Sequence, residues 1–337
     1  MSICLCNLTA DTLLEHFARH RRELELASPD PRSFRADVGK VSEVLADQMD
    51  ELPRPLDVLV GSFNNRRVAT GVACHMWKGP LPKNSIFMVE EGLYITSPEL
   101  TLLQQATQLH QARLCQMLGR YLGTWTPDRN SQTGQQSRAP LTSLESLQSF
   151  LRGMHRIHGM GNLKFAMAHT CEGAASAPET SLQLALTLPP ELYGLDLPQP
   201  IMNYEEELSS YARKLYPHET IRIDLCWRAE RFGLEYQGEE HGNQLGEDYA
   251  RWFAAREERY ELWFVAKEQL ENAAQMNHIG HEVAKRLGID INSKLWPADH
   301  ELEELLDVLN GKGHPKPLGY KELRQRRSKI RELRRKL

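Results

Sequence analysis

The chain has 337 residues, 41% of them hydrophobic and 26% charged, with 41 Lys and Arg against 45 Asp and Glu for a formal net charge of -4. That length supports two domains with separate cores, and the composition is that of a globular protein rather than a fibrous or low-complexity one. No apolar run approaches the roughly 20 residues of a membrane-spanning helix, and Met1-Ser2-Ile3-Cys4-Leu5-Cys6 lacks the basic and hydrophobic regions of a secretory signal.

Residues 1–56 read as mainly helical. Thr9-Ala10-Asp11-Thr12 supplies helix-start residues ahead of Leu13-Leu14, and Pro53 and Pro55 close the segment. Short strands are predicted at 57–60, from 67–70 onward, and at 85–89. Ser97 is placed as an N-cap, with Pro98 in the first position of a helix running to about Tyr121. The stretch 127–140, rich in Ser, Gln, Gly, Asn and Pro, reads as a linker or long surface loop. A helical stretch follows over 141–171. Ser176-Ala177-Pro178-Glu179 then opens a helix carrying Leu182, Leu184, Leu186 and Leu188, which Pro189-Pro190 ends.

Two alternating arms at 221–227 and 232–238 predict a β-hairpin, followed by a helix over about 247–260 and a strand at 262–265. The order of elements predicts an α/β (α+β) fold with a mixed central sheet flanked by helices. The domains expected are a mixed α/β domain at 1–126, the loop at 127–140, a second domain at 141–290, and a helical basic tail at 291–337. Residues 312–337 carry eleven Lys and Arg against two Glu, a net of +9 that leaves -13 on the remainder. A basic tail on an acidic body fits a polyanion partner; a solubilising helix that binds nothing specific is the plain alternative. The six cysteines are scattered with no CxxC pair, a pattern that fits free thiols in a reducing cytoplasm.

The hairpin carries the most informative chemistry. Ile221, Ile223, Leu225, Trp227, Phe232, Leu234 and Tyr236 fall on one face by alternation; Arg222, Asp224, Cys226, Gly233, Glu235 and Gln237 fall on the other. If 228–231 is the loop, Trp227 faces Phe232, and the same register sets Asp224 across from Glu235, with Cβ atoms roughly 5 Å apart. Like charges so placed destabilise a sheet. A divalent cation such as Mg²⁺ held between them is one reading; a tolerated acidic pair on a solvated face is the other.

Other residues carry two readings each. Glu179 fits a capping box with Ser176, or brings a third acid to the cation. Gln237, expected opposite Arg222, either touches a phosphate or orients a water, or is solvated at a strand end. His241 is a candidate for proton transfer or metal ligation, against an ordinary loop histidine. Arg251, Arg256 and Arg259 interleave with Tyr249, Trp252 and Phe253. They suit a phosphate backbone, or a surface helix laced with i,i+4 ion pairs. No P-loop, GxSxG, HExxH or dinucleotide fingerprint is present.

Asp224 followed by Glu235-Tyr236-Gln237 resembles the D-x(n)-E-x-K signature of PD-(D/E)XK nucleases, the restriction-endonuclease-like fold. Asp224-Leu225-Cys226-Trp227, then Glu235-Tyr236-Gln237-Gly238-Glu239-Glu240-His241, is similar to the branch related to very-short-patch-repair (Vsr) endonucleases, with D-x-x-W and E-x-D-G-x-x-H. Pro178-Glu179-Thr180 stands where that branch carries a helical glutamate. The resemblance covers roughly 170–270. Upstream, Thr96-Ser97-Pro98-Glu99-Leu100-Thr101-Leu102-Leu103 resembles the T-S-P-x-R-T-L-L segment of AbiEi antitoxin-like proteins. Gln237 departs from the usual Lys or Asp, and Leu100 from the usual Arg.

The resemblance implies a cytoplasmic, Mg²⁺- or Mn²⁺-dependent endonuclease acting on DNA more readily than RNA, in defence or repair. Asp224 and Glu235 would hold the metal, with the Tyr236 carbonyl as a possible further ligand, and Glu179 would bind metal or orient a metal-bound water. Gln237 would position the attacking water and His241 would serve the leaving oxygen; Arg222, Arg251 and Arg256 would meet the nucleic acid. The alternative is a catalytically inactive nucleic-acid-binding regulator of the antitoxin type.

Overall fold

The structure, a computed structural model, describes residues 2–36, 39–66, 71–128, 130–131, 133–154, 156–238, 245–312 and 316–334. It is a mixed α/β fold. In chain order it forms β1 (Ile3–Leu5), α1 (Asn7–Arg19), β2 (Glu25–Ala27), α2 (Gly39–Val44), β3 (Leu56–Val60), β4 (Val72–Met76), β5 (Ile86–Glu90) and β6 (Leu93–Thr96). Then come α3 (Pro98–Gln105), α4 (Gln111–Leu122), β7 (Trp125–Pro127), β8 (Gln135–Ser137), α5 (Leu144–Leu151), α6 (Met160–His169) and α7 (Ala177–Thr187). The remainder is β9 (Ile201–Glu207), α8 (Ala212–Leu215), β10 (Thr220–Trp227), β11 (Phe232–Gln237), α9 (Leu245–Glu257), β12 (Glu261–Ala266), α10 (Lys267–Leu270), α11 (Ala273–Arg286), α12 (Asp299–Leu309) and α13 (Tyr320–Arg334).

The chain divides into two compact units, 1–108 with 126–164 and 109–125 with 165–337. These differ from the boundaries expected. The predicted helix from Ser97 breaks after Gln105, and His110 caps α4 by accepting from the Ala112 N–H at 3.2 Å. The break assigns α3 and α4 to different units.

The first unit carries a six-stranded mixed sheet in the order β2-β5-β6-β1-β3-β4. β1 pairs parallel with β6 and antiparallel with β3, and all three of its residues are buried. The mainly helical reading of 1–56 missed it because three residues are too few to show a period. The Ser97 hydroxyl accepts from the Leu100 N–H at the start of α3, with Pro98 in the first turn as predicted. The stretch 127–140 is not a free linker. β8 within it pairs with β7, which ends at Pro127, and Arg138 is buried with its Nε and Nη2 on the Glu15 carboxylate of α1 at 2.9 and 3.0 Å. A buried bidentate pair fixes the end of a segment whose composition signalled only a loop.

The second unit is built on a four-stranded sheet, β12-β11-β10-β9. β11 runs parallel to β12, while β10 is antiparallel to both β11 and β9. Ile221, Ile223 and Cys226 of β10 join Leu262 of β12 and Ala254 and Ala255 of α9 in one buried cluster. α12 packs on α4, α7 and α11 with Leu302, Leu305, Leu306 and Leu309 buried, so the tail expected from 291 begins only after this helix. No helix among the described residues is long and apolar enough to cross a membrane.

Gly233 is the tight point of the hairpin. A Cβ there would lie 2.4 Å from Ile223 Cγ2 and 3.1 Å from Leu262 Cδ2. Gly233→Ala should therefore destabilise the chain by about 1–3 kcal/mol, the usual cost of overpacking a filled core. A urea titration checks this, and an unchanged midpoint would show that Ile223 repacks freely.

Candidate functional site

The hairpin forms in the register that its alternation and loop length predicted. Trp227 pairs with Phe232, Cys226 with Gly233 and Leu225 with Leu234. A single 3-10 turn, Arg228–Glu230, and a left-handed Arg231 at φ 50° close it. Trp227 stacks on Phe232 at 5.6 Å between ring centroids, and its Nε1 donates to the Pro198 carbonyl.

The ladder between the two arms ends at Leu225 and Leu234. Beyond it the Asp224 carboxylate, not a backbone carbonyl, accepts the Tyr236 N–H at 2.9 Å. Arg222 does not meet Gln237. The β10–β11 ladder does not reach them; on their other edges Arg222, which is exposed, pairs with Glu205 on β9, and Gln237 pairs with Ala266 on β12. The strict two-face pattern also fails here, because Ile221, Ile223 and Cys226 share one apolar cluster. The parity slips by one residue around Asp224. β9 is irregular at the same level: Asn203, between the partners of Ile223 and Leu225, has φ 48°. A left-handed non-glycine residue inside a strand carries a backbone cost that the surroundings must offset.

Asn203 was not singled out from the sequence, where β9 was not predicted. Its Nδ2 donates to the Gly173 carbonyl at 2.9 Å and to Glu179 Oε2 at 2.6 Å. Its Oδ1 is buried without a hydrogen-bond partner.

Glu179 is 7% exposed and takes the capping role at the start of α7. Ser176 caps α7 by accepting the Glu179 N–H, and the Glu179 carboxylate accepts from the Ser176 hydroxyl and the Ala175 N–H, each at 2.8 Å. The cap thus reaches one residue further back than the usual box. The same carboxylate lies close enough to Asp224 and Glu235 to raise the pKa of both.

Glu235 is 4% exposed. Its Oε2 accepts from Arg251 of α9 in an ion pair, and its Oε1 is buried with no partner. Arg251, expected at the nucleic acid, is therefore engaged with the acid cluster. Burial pushes the Glu235 carboxyl up, and the Arg251 charge partly restrains it. The Asp224 carboxyl is pushed well above the usual range by burial first, then by Glu235 and Glu179; the Tyr236 N–H and Arg251 oppose the rise. Asp224, Glu235 and Glu179 are thus gathered into one electrostatic cluster.

The remaining candidates are peripheral or undescribed. Arg256 is exposed and lies over the Trp252 ring at 5.4 Å. Gln237 is half-buried at the end of β11. His241 lies outside the described residues.

Among the described residues no three His, Cys, Asp or Glu side chains are already disposed as a metal-binding set. The chemistry nonetheless fits a hard divalent cation. Glu235 offers an unpartnered buried oxygen beside Asp224, and Mg²⁺ commonly takes one or two protein carboxylates and keeps several waters. No family model matches the chain, and no curated protein or solved structure matches it.

The raised carboxyl of Asp224 has a defined consequence for stability. The folded chain holds that proton more tightly than the unfolded chain, whose pKa is near the ordinary 3.8. The contribution of this group to stability is therefore fully present below that value and is lost as pH rises through the interval up to the folded pKa. Asp224→Asn keeps an acceptor for the Tyr236 N–H and removes the charge. In metal-free buffer at pH 8 it should raise stability by about 0.5–2 kcal/mol, a few degrees in Tm, and the difference should close toward pH 4. Thermal melts across that range test this; a lower Tm for the variant at pH 8 contradicts it.

Proposed function

We propose that the second unit is a Mg²⁺- or Mn²⁺-dependent hydrolase of nucleic-acid phosphodiester bonds, a DNA endonuclease built on a restriction-endonuclease-like core. The observation that carries this is a pair of carboxylates on adjacent strands, Asp224 half-buried and Glu235 buried, with Glu235 Oε1 left unpartnered and a third acid, Glu179, within electrostatic reach. Structural ion-pair networks rarely leave a buried carboxylate oxygen empty, whereas sites that bind a cation do.

In this reading Asp224 and Glu235 hold the metal, with the Tyr236 carbonyl as a further ligand. A metal held there would supply Lewis-acid polarisation of a phosphoryl oxygen and activation of a water. Glu179, fixed by Ala175, Ser176 and Asn203, orients a water at the edge of the cluster. Gln237 positions the nucleophile by hydrogen bonding; as an amide it cannot take its proton. His241 is assigned the proton for the leaving oxygen, and Arg222 and Arg256 the flanking phosphates.

A second reading, a nucleic-acid-binding regulator with an inactive core, is favoured by one observation: Arg251 already neutralises Glu235. Metal distinguishes the two. Millimolar Mg²⁺ or Mn²⁺ should raise the Tm of a hydrolase and leave that of the regulator unchanged. For the hydrolase, Asp224→Ala and Glu235→Ala should each lower Mg²⁺-dependent cleavage at least about 100-fold, since even groups that only support a metal ligand can cost that much. Assays on DNA and RNA, alongside circular dichroism to show the fold intact, read this out. Full activity in both variants would refute the site.

The basic C-terminal helix α13 is assigned to the phosphate backbone. Arg326 and Arg327 are tied to Glu322 and Glu191, but Lys321, Arg324, Lys329 and Arg331 are exposed. Replacing these four with Gln should flatten the slope of log K against log salt by up to about 3–4, near one unit for each phosphate no longer neutralised. An unchanged slope would mean that α13 does not touch phosphate.

A further inference from the structure

We infer that Arg251 is a built-in counter-ion that competes with the metal for Glu235, so that α9 holds one oxygen of Glu235 until a divalent cation displaces it; this rests on the metal-hydrolase reading above. Three carboxylates stand against one guanidinium in this cluster. Among the described residues Glu235 is the one carboxylate within ion-pair distance of Arg251. A cation bound at the open Glu235 Oε1 would lie within roughly 5 Å of a guanidinium on Oε2, and like charges that close in a half-buried site repel strongly. The two cannot both be held well.

The local fold permits the exchange. Ala254 and Ala255, three and four residues after Arg251 and therefore on its side of α9, are fully buried. Their small side chains bring the helix close to the sheet, within reach of the Arg251 side chain. That side chain is nevertheless 29% exposed, against 5% for Glu235. A long cationic side chain can exchange partners while its apolar stem stays packed. A purely structural ion pair behaves differently. Removing its arginine leaves a bare buried carboxylate and loosens the site for every ligand.

The test is calorimetric titration of the full-length protein with Mn²⁺ alone at pH 8, without nucleic acid. Arg251→Gln should bind Mn²⁺ at least about tenfold more tightly than the unaltered chain, ~1.4 kcal/mol. Arg251→Lys, which keeps the charge, should stay within about threefold of it. Glu235→Gln should lose binding. If Arg251→Gln binds Mn²⁺ equally or more weakly while Glu235→Gln has lost it, the metal site stands and the competition is overturned. If Glu235→Gln binds like the unaltered chain, the metal reading fails and takes the competition with it. Should Arg251→Gln not fold, Arg251→Met, which retains an apolar stem, carries the same comparison. A melt supplies a second measure: the metal-free Tm of the neutral variant should fall, and its rise on adding Mn²⁺ should exceed that of the unaltered chain.

Discussion

The second unit is organised around a place where a β-ladder stops. Past Leu225 and Leu234 the two arms no longer exchange regular backbone bonds, and the Asp224 carboxylate occupies the gap by accepting the Tyr236 N–H. That substitution draws a carboxylate into the sheet beside a second one on the neighbouring strand. Everything around it responds: β9 turns left-handed at Asn203, the α7 cap aims Glu179 inward, and α9 sends Arg251 to Glu235. Burying like charges together costs stability, and the raised carboxyls of Asp224 and Glu235 are the sign of that cost. The apolar cluster of Ile221, Ile223, Ala254, Ala255 and Leu262 offsets it.

What was legible in the sequence was the part governed by short-range rules. Alternation fixed two arms, a four-residue gap fixed the loop, and together they fixed a register. The helix starts at Ser97 and Ser176 followed from cap chemistry. What was not legible depended on partners far along the chain. β1 is a strand because β3 and β6 flank it, and nothing in Ile3-Cys4-Leu5 announces that. The segment 127–140 is held by Arg138 on Glu15, a pairing across more than a hundred residues. Asn203 was invisible for a similar reason: its role comes from a backbone conformation set by β10, not from its neighbours in sequence.

The capping role of Glu179 carries a lesson about capping motifs. A cap is usually counted as a structural explanation that removes a residue from functional consideration. Here the bonds from Ser176 and Ala175 hold the carboxylate in one rotamer, and a fixed rotamer is what a group acting on a neighbouring water requires. A residue can serve the helix and the site with the same two oxygens, provided the donors approach from the helix side. Asn203 extends this arrangement, because its amide links Glu179 to the strand next to Asp224.

The choice between hydrolase and regulator turns on how much of the charge in this cluster is already compensated. A retired core loses its need for a cation, and the simplest repair is to neutralise or remove the acids. This chain keeps all three and supplies a single guanidinium, which covers one oxygen of Glu235 and leaves the other without a partner. A repair aimed at stability would be expected to satisfy that oxygen, since an unpaired buried acceptor costs about 1–3 kcal/mol. The open oxygen, beside an Asp224 whose charge burial disfavours, supports the proposal that compensation arrives from solution. That asymmetry favours a cation-dependent reading over an inert scaffold, and it locates the decisive question in one side chain, Arg251, rather than in the substitution at Gln237.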